Sequence, residues 1–373
     1  MLPGEILPAE TIALYVDAIL DTRATQLPRL ECPSLDTARY ASLKPTSYQI
    51  ARPRIEYFFA LDLRKCLELL PRLLGSVVEV IRFLGPDRCT LSIVGGNSPD
   101  GTDDVLAALA LVLIDLDITY TFKRADVDSA EGARIQKLAD LRNLALAPLV
   151  DNFASSVSAD TVVLFLNDVA ACAEDILELA LQRRNLGADM TCAFDWVYVS
   201  ETPTFYDVWV SRTLQGDWFF DIPPDGSWDR ASNLFWNDTP TRARYDTHLP
   251  FQVFSCWNGV TAFRAQPVLE GLRFRASNED AGECFQGEPQ LFCKDLWFRG
   301  FGRIAVVPSV NLAYSDEEGK RTKDLKGYTS QLVKGKTAGD DRIQWITEPP
   351  EKVLCAPGFD RQSWVPWNET LHS

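Results

Sequence analysis

The stretch Thr161-Val-Val-Leu-Phe-Leu-Asn-Asp-Val169 is the strongest indicator of the fold. Five apolar residues, 162–166, run without a break and stop at Asn167 and Asp168. Such a run is typical of a strand buried on both faces of a parallel sheet. Ligands bind beyond the carboxyl ends of these strands, so Asp168 is a candidate ligand for a divalent cation that bridges a diphosphate. The alternative is an Asx turn or a helix N-cap, because Ala-Glu-Asp-Ile-Leu-Glu follows.

Strands and helices alternate on both sides of this stretch. The patterns predict strands at 89–94, 118–123, 162–168, 190–195, 251–257 and 303–308. They predict helices at 103–115, 131–147, 173–184 and 288–299. This order indicates an α/β fold, in which a doubly wound, mostly parallel sheet carries helices on both faces.

The remaining segments flank a predicted central domain at 85–315. Residues 1–84 are expected to form an N-terminal helical extension, with helices at 9–20 and 61–84 and an interruption at Pro71. The Lys- and Gly-rich segment 316–341 is expected to be a mobile loop. A C-terminal tail that reaches residue 373 is expected to pack back on the central domain.

Composition excludes several classes of function. The chain has 373 residues and a net charge of −15, which argues against a nucleic-acid partner because phosphate binding needs a basic surface. Two histidines and nine cysteines without a Cys-x-x-Cys pair disfavour a zinc site. The cysteines fit either buried thiols or some disulfides with a free thiol. No window approaches the ~18–20 apolar residues of a membrane span, so we expect a soluble chain.

Two segments offer candidate contacts for a phosphorylated ligand. The turn Gly95-Gly-Asn-Ser-Pro-Asp-Gly-Thr102 carries Asn97 and Asp100, which suit a base or a ribose, although a tight turn with an N-cap explains them equally well. In the helix at 131–147, Arg142 interrupts an apolar face. A buried arginine needs an anionic partner, which is either a pyrophosphate or a structural carboxylate.

Carboxylates and aromatic residues follow in the second half of the chain. Glu288 begins a helix with Pro289 in its first turn, and Asp295 lies on the same helical face. Trp257 and Asn258 end a predicted strand after a region rich in tryptophan. Aromatic faces beside carboxylates suit sugars. A charge–dipole role for Glu288 and an ordinary core for the tryptophans are the alternatives.

Taken together, these segments resemble the GT-A-type glycosyltransferases. More narrowly, the chain resembles the fungal capsule-associated α-1,3-mannosyltransferases of glycosyltransferase family 69. The matching blocks keep their order along the chain and occupy residues 92–102, 134–148, 165–169, 205–209, 255–259, 287–297 and 306–310.

The resemblance implies a retaining enzyme that takes mannose from GDP-mannose, uses Mn²⁺ or Mg²⁺, and transfers the sugar to an oligosaccharide or glycan acceptor. It also implies a Golgi protein that is membrane-anchored at full length and acts in the lumen. Such enzymes have a metal-binding Asp-x-Asp, of which Leu166-Asn167-Asp168 keeps only the last residue. They often have a histidine near the last strand, and none lies between Leu249 and Leu371.

These considerations give a hypothesis for the role of each residue. Asp168 binds the metal, and the donor is held by Asn97, Asp100, Arg142, Asn143 and Asn167. The acceptor is held by Asp207, Arg212, Trp257 and Asn258, and the catalytic candidates are Glu288, Asp295 and Asp195. Lys320 or Arg321 closes over the donor from the mobile loop. An inverting enzyme would use Glu288 or Asp295 as a general base. The competing class is a non-catalytic carbohydrate-binding or scaffold protein on the same fold.

Overall fold

The computed structural model describes residues 6–44, 55–127, 132–199, 201–336 and 341–371. Its strands are β1 (Tyr57–Leu63), β2 (Cys89–Gly95), β3 (Thr119–Arg124), β4 (Val162–Leu166), β5 (Met190–Val199), β6 (Thr202–Phe205), β7 (Phe251–Gln252), β8 (Val260–Arg264), β9 (Ile304–Ala313), β10 (Lys352–Gly358) and β11 (Arg361–Pro366).

The α-helices are α1 (Ala9–Leu20), α2 (Leu70–Leu84), α3 (Thr102–Asp115), α4 (Arg134–Asp151), α5 (Ala173–Leu186), α6 (Thr239–Asp246), α7 (Gln266–Leu269), α8 (Glu288–Phe298), α9 (Asp316–Lys326) and α10 (Thr329–Leu332). Among the described residues, no helix is long and apolar enough to cross a membrane.

Strands β1 to β9 form one mixed sheet, and β10 and β11 form a separate hairpin. The order across the large sheet is β3-β2-β1-β4-β8-β5-β9-β7, with β6 added to β5. β1 pairs in parallel with β2 and β4, and β5 pairs in parallel with β9. β8 runs antiparallel between β4 and β5. The predicted α/β fold with a mostly parallel sheet is therefore confirmed.

Alternate residues of the central strands pack into two different hydrophobic layers. In β4, Leu164 and Leu166 pack in the layer that holds residues of α1, α2, α3 and α5. Val163 and Phe165 pack in the layer that holds residues of α4 and α8 and the aromatic segment after β6. Because both faces of β4 are covered by apolar side chains, its sequence is continuously apolar rather than alternating.

The prediction of a helix at 61–84 was wrong for its first residues. Residues 57–63 form β1, a strand with sheet neighbours on both sides, and the helix α2 begins only at Leu70, with Pro71 in its first turn. The boundary at residue 84 therefore lies within the part of the chain that builds the sheet. The rest of the proposed division into an extension, a catalytic domain and a tail stays a prediction.

The segment predicted as a mobile loop contains two helices instead. Helix α9 begins after Ser315, whose hydroxyl accepts a hydrogen bond from the backbone amide of Glu318. Lys323 on α9 is buried and pairs with Asp175 at 2.6 Å. This buried ion pair joins α9 to α5. The polar composition of α9 therefore reflects its solvated face and not a mobile loop.

The predicted strand at 251–257 is also different in the structure. β7 covers only two residues, and a turn at Trp257, Asn258 and Gly259 leads into β8, which the sequence patterns did not predict. Asn258 and Gly259 have φ angles of 55° and 84°, in the left-handed region that ends a strand. Because β8 is antiparallel to β4, this turn lies at the sheet edge where β4 ends.

The cysteines divide between disulfides and thiols. Three disulfides join Cys32 to Cys172, Cys192 to Cys256 and Cys284 to Cys355, and the thiols of Cys66, Cys89 and Cys293 are buried. The structure thus selects the alternative of disulfides together with free thiols.

Candidate active site

Side chains from the carboxyl ends of several strands meet in a cavity of about 500 Å³. Asp62 lies at the end of β1 and Asp168 follows β4. Asp207 follows β6, and Tyr314 follows β9. Glu288, the first residue of α8, also lines the cavity. The edge of the sheet that the sequence marked at Asp168 is therefore a concave site rich in carboxylates.

Arg142 connects three elements at the floor of this cavity. Its Nε donates to Glu288 Oε1 at 2.9 Å, and its Nη1 donates to Asn167 Oδ1 at 3.3 Å. Nη1 also lies 3.8 Å from Asp62 Oδ1, and Cζ lies 4.6 Å from the centroid of the Trp257 ring. Burial opposes the charge, but Asp62 and Glu288 outweigh burial and raise the pKa of Arg142. Arg142 thus stays cationic in contact with the cavity.

Asp168 and Asp62 offer oxygen ligands in the same cavity. Burial raises the pKa of Asp168, while a backbone hydrogen bond and Arg142 oppose this rise. Burial also raises the pKa of Asp62 to about 6 against the opposing charge of Arg142. Carboxylate oxygens suit Mg²⁺ and Mn²⁺. No group of three His, Cys, Asp or Glu side chains at metal-binding distance exists within the described ranges. An ion here would therefore need further ligands from a diphosphate and water.

The turn at 257–259 orients two of the cavity residues. Trp257 Nε1 donates to Asn167 Oδ1 at 3.1 Å, and the backbone amide of Asn258 donates to Asp207 Oδ2 at 2.9 Å. The Asn258 side chain is buried and donates to the carbonyl of Ala193 at 2.8 Å. Asn258 does not line the cavity, and a contact of its side chain with an acceptor stays a prediction.

Asp195 lies behind the cavity wall rather than in it. Its side chain is fully buried, and the hydroxyl of Tyr314 donates to its Oδ2 at 2.6 Å. Burial and the neighbouring charge of Asp207 hold the pKa of Asp195 well above its usual range. Burial also raises the pKa of Asp207 to about 6, although the Asn258 amide opposes it. Asp195 does not line the cavity and contacts it through Tyr314, so its catalytic role stays a prediction.

Two residues expected at the donor bind other groups of the protein. Asn97 is exposed and donates to Asp126 Oδ1 at 3.3 Å. Asp100 accepts hydrogen bonds from the backbone amides of Leu67 and Thr102, both at 3.1 Å. Neither residue lines the cavity. Asp100 stabilises a turn, while the N-cap of α3 is Gly101 without a side-chain cap, and donor roles for Asn97 and Asp100 stay predictions.

Three further candidates also lie outside the cavity. Asn143 donates to and accepts from the backbone of Phe274, both at 2.9 Å. Asp295 accepts from Arg275 Nε at 2.7 Å. Arg212 is buried and donates to four backbone carbonyl groups. Each side chain binds other groups of the protein and none lines the cavity, so the structure does not place these three residues with the other candidates.

The basic residues assigned to a closing loop have other partners. Lys320 pairs with Asp324 on the same helix, and Arg321 pairs with Glu201 at 2.8 Å. The Arg321 guanidinium also lies 4.0 Å from the ring centroid of Tyr198. Both residues belong to α9 and neither lines the cavity, which contradicts the proposed closure over a donor.

The structure adds residues that the sequence patterns missed. Asp62 was missed because residues 61–84 were taken for one helix, although Tyr57-Phe-Phe-Ala-Leu-Asp62 repeats the apolar run and terminal acid of β4. Tyr206 and Tyr314 also line the cavity. Tyr206 lies in the matching block 205–209 but was not named as a candidate, and Tyr314 lies outside every block. Arg134 and Trp228 also line it. Of the original candidates, the structure brings together Arg142, Asn167, Asp168, Asp207, Trp257 and Glu288.

Known proteins resemble this chain along most of its length. A family model described as Cryptococcal mannosyltransferase 1 matches residues 56–295. The chain is 34% identical over 360 residues to alpha-1,3-mannosyltransferase CMT1 of Cryptococcus neoformans var. neoformans serotype D, across 89% of this chain and 75% of that protein. By its relatives, the chain is a hexosyltransferase, as the sequence predicted. It belongs to the Cryptococcal mannosyltransferase 1 family.

Solved structures with a similar fold are more distant. Residues 1–349 of S. aureus TarS are 12% identical with a TM-score of 0.40, across 75% of this chain and 66% of that one. The mannosyltransferase PcManGT from Pyrobaculum calidifontis, solved with GDP-Man and Mn²⁺, is 13% identical with a TM-score of 0.40, across 82% and 68%. Likeness at this level carries no argument about the chemistry of the cavity.

Proposed function

We propose that this chain is a GT-A-type enzyme that transfers mannose from GDP-mannose to a hydroxyl group of a glycan. The linkage is α-1,3, the anomeric configuration is retained, and the reaction depends on Mn²⁺ or Mg²⁺. One observation carries the proposal: a carboxylate, a buried cation and an aromatic wall meet in one cavity at Asp168, Arg142 and Trp257. The 34% identity to an alpha-1,3-mannosyltransferase supports the choice of sugar and linkage.

The residues at the sheet edge fit a divalent cation. Asp168 and Asp62 both line the cavity, and burial raises the pKa of each. A raised pKa means that the negative charge is poorly solvated, so a bound cation would stabilise both ionised groups. Asp168 would hold the ion with support from Asp62. When bound, the ion would neutralise the negative charge that develops on the departing diphosphate.

Arg142 supplies the second positive charge of the site. Glu288 and Asn167 hold its Nε and Nη1, and its guanidinium lies against the ring of Trp257. This geometry is fixed before a ligand arrives, so no reorganisation is needed when charge builds up on the leaving group. Arg142 therefore stabilises the nucleoside diphosphate as the glycosidic bond breaks.

Aromatic residues and Glu288 define the sugar side of the cavity. Trp257, Trp209 and Trp228 line it and suit the C–H faces of sugar rings. Glu288 lines it as well, and Asp295 no longer competes as an alternative base. If the reaction were inverting, Glu288 would be the residue placed to accept the proton of the acceptor hydroxyl.

The compartment is also part of the proposal. Three disulfides join distant parts of the chain. Disulfides of this kind persist in oxidising compartments and are rare in the cytosol. They support an enzyme that acts in the Golgi lumen.

The proposal is tested by a donor screen with purified protein. GDP- and UDP-sugars are offered with a mannoside acceptor in the presence of Mn²⁺, Mg²⁺ or EDTA. We expect transfer of mannose from GDP-mannose only when a divalent ion is present, and NMR of the product to show an α-1,3 linkage. Calorimetry with GDP-mannose and with glycans covers the competing class. Glycan binding without any donor binding would identify a non-catalytic carbohydrate-binding protein.

A further inference from the structure

Tyr314 follows β9 and contributes to the wall of the cavity. It lines the cavity and its ring packs against Tyr206, with 4.6 Å between the ring centroids. Tyr206 is itself 46% exposed and also lines the cavity. No metal-binding or acid–base role in the proposed reaction uses Tyr314, so the purpose of this polar group is open.

The proton of the Tyr314 hydroxyl is directed away from the cavity. It is donated to Asp195 Oδ2 across 2.6 Å, and Asp195 is fully buried in β5. This distance is typical of a strong O–H···O hydrogen bond to a carboxylate. Oδ1 of Asp195 has no hydrogen-bond partner in the part of the chain that the structure describes. An ionised carboxylate can only accept, so with Asp195 ionised the Tyr314 hydroxyl is the donor in this bond.

This direction determines what the phenolic oxygen can recognise. A phenol has one proton to donate and lone pairs that accept. Because the Tyr314 proton is bound to Asp195, only its lone pairs are available to a ligand. A sugar hydroxyl can donate to them, whereas an ionised phosphate oxygen has no proton to donate. The oxygen therefore selects for a hydroxyl group and against a phosphate.

We propose that Tyr314 is a specificity-determining residue whose phenolic oxygen accepts a hydrogen bond from one hydroxyl group of the donor sugar or the acceptor sugar. Asp195 is the positioning residue that holds Tyr314 in this state. The inference rests on the proposed function, since it takes sugars as the ligands of the cavity. It adds a recognition contact that neither the metal site nor Arg142 provides.

The test compares wild type with Tyr314→Phe on sugars that each lack one hydroxyl. One series consists of monodeoxy analogues of GDP-mannose, and the other of monodeoxy mannoside acceptors. We expect one analogue to lower kcat/KM of wild type by roughly 5- to 20-fold, the usual effect of losing one hydrogen bond. In Tyr314→Phe the same analogue should lower kcat/KM by less than about 2-fold, because the phenolic oxygen that would bind the hydroxyl is already missing. The series that responds shows whether the hydroxyl belongs to the donor or to the acceptor.

Tyr328→Phe is the matched control, because the Tyr328 hydroxyl donates to a backbone carbonyl, that of Glu31, away from the cavity. It should respond to every analogue as wild type does. If Tyr314→Phe loses its fold because Asp195 is left unpaired, Asp195→Asn is added and the two series are repeated. The inference is overturned if the Phe variant responds to all analogues as wild type does. Absence of transfer by wild type from any nucleotide sugar would instead refute the proposed function, and the inference with it.

Discussion

Arg142 and Glu288 form a buried ion pair, with 2.9 Å between Nε and Oε1, that joins α4 to the first residue of α8. Both side chains also line the cavity. The pair therefore contributes to packing between two helices and to the electrostatics of the site at once. Arg142 needs an anionic partner in the absence of a ligand, and Glu288 is that partner, so the structural and functional interpretations of this arginine are compatible.

Removal of Arg142 should affect stability and activity in separable ways. Arg142→Met leaves the charge of Glu288 buried without a partner, which should cost about 3–5 kcal/mol of unfolding free energy. Adding Glu288→Gln should recover much of that loss in urea denaturation. Mannosyl transfer should stay at least ~100-fold below wild type in both variants. Recovery of transfer along with stability would show that Arg142 acts only on the fold.

Asp168 should matter for turnover and not for folding. Burial raises its pKa, so its charge is unfavourable in the folded protein, and Asp168→Asn should keep or raise the melting temperature. The same substitution should lower transfer by roughly 100-fold or more and abolish the response to Mn²⁺. Asp115→Asn, at the exposed end of α3, is the control. Undiminished, Mn²⁺-dependent transfer in Asp168→Asn would exclude Asp168 as the metal ligand.

The pH dependence of stability should reflect the carboxylates of the cavity. The pKa values of Asp62 and Asp207 are raised from 3.8 to about 6 in the folded protein. As pH rises, the unfolded chain releases the protons of these two groups before the folded protein does. The bound protons therefore stabilise the folded protein fully below pH 4, and this contribution is lost as pH rises through 6. A shift of this size corresponds to at most ~3 kcal/mol per group. Transfer should rise over the same interval, since the ionised groups are the ones that favour a cation.

Urea denaturation between pH 4 and pH 7 measures this dependence. Asp62→Asn should lose part of it, because one of the carboxylates with a raised pKa is removed. Added Mn²⁺ should stabilise the wild type above pH 6 and have little effect near pH 4. An identical pH profile for wild type and Asp62→Asn would contradict the assignment.

The disulfide between Cys192 and Cys256 should support the cavity as well as the fold. Cys256 immediately precedes Trp257, and Cys192 lies on β5. Replacing both cysteines with alanine should lower the unfolding free energy by roughly 2–4 kcal/mol. Transfer should fall as well, because Trp257 and Asn258 orient Asn167 and Asp207. Cys89→Ala, which removes a buried thiol far from the turn, is the control and should lower the unfolding free energy by less and leave transfer unchanged. If both variants reduced transfer equally, the disulfide would have no special role at the cavity.

Local sequence features were enough to predict the central strand and the central residues of the site. The apolar run before Asn167 and Asp168 indicates a strand with two buried faces, and Arg142 stands out because it interrupts an apolar helical face. β1 was missed because the apolar run at 57–63 is soon followed by the leucine-rich helix α2. Short apolar runs fit the periodicity of a helix as well as that of a strand. Asp62, the carboxylate nearest to Arg142 after Glu288, was missed with it.

Several polar residues looked functional because their types are common in binding sites. Asn97 and Asp100 lie in a loop after a strand, and Asn143 follows Arg142 on the same helix. In the structure their side chains bind nearby backbone or side-chain groups instead. Only the bonds of Asp100 to Thr102 are local ones of the kind that Asp makes in turns. The other partners lie far away in the chain, so the sequence pattern could not show them.

By itself, the sequence determined the α/β class, the two-sided burial of β4 and the candidacy of Asp168, Arg142 and Glu288, because hydrophobic periodicity and an interrupted apolar face are local properties. The tertiary structure decided which polar residues share the cavity. That choice depends on the strand order β1-β4-β8-β5, which pairs segments that are far apart in the chain. It also decided that Tyr314 faces the cavity while Asp195 lies behind it, because long-range strand pairing and register set which side chains meet.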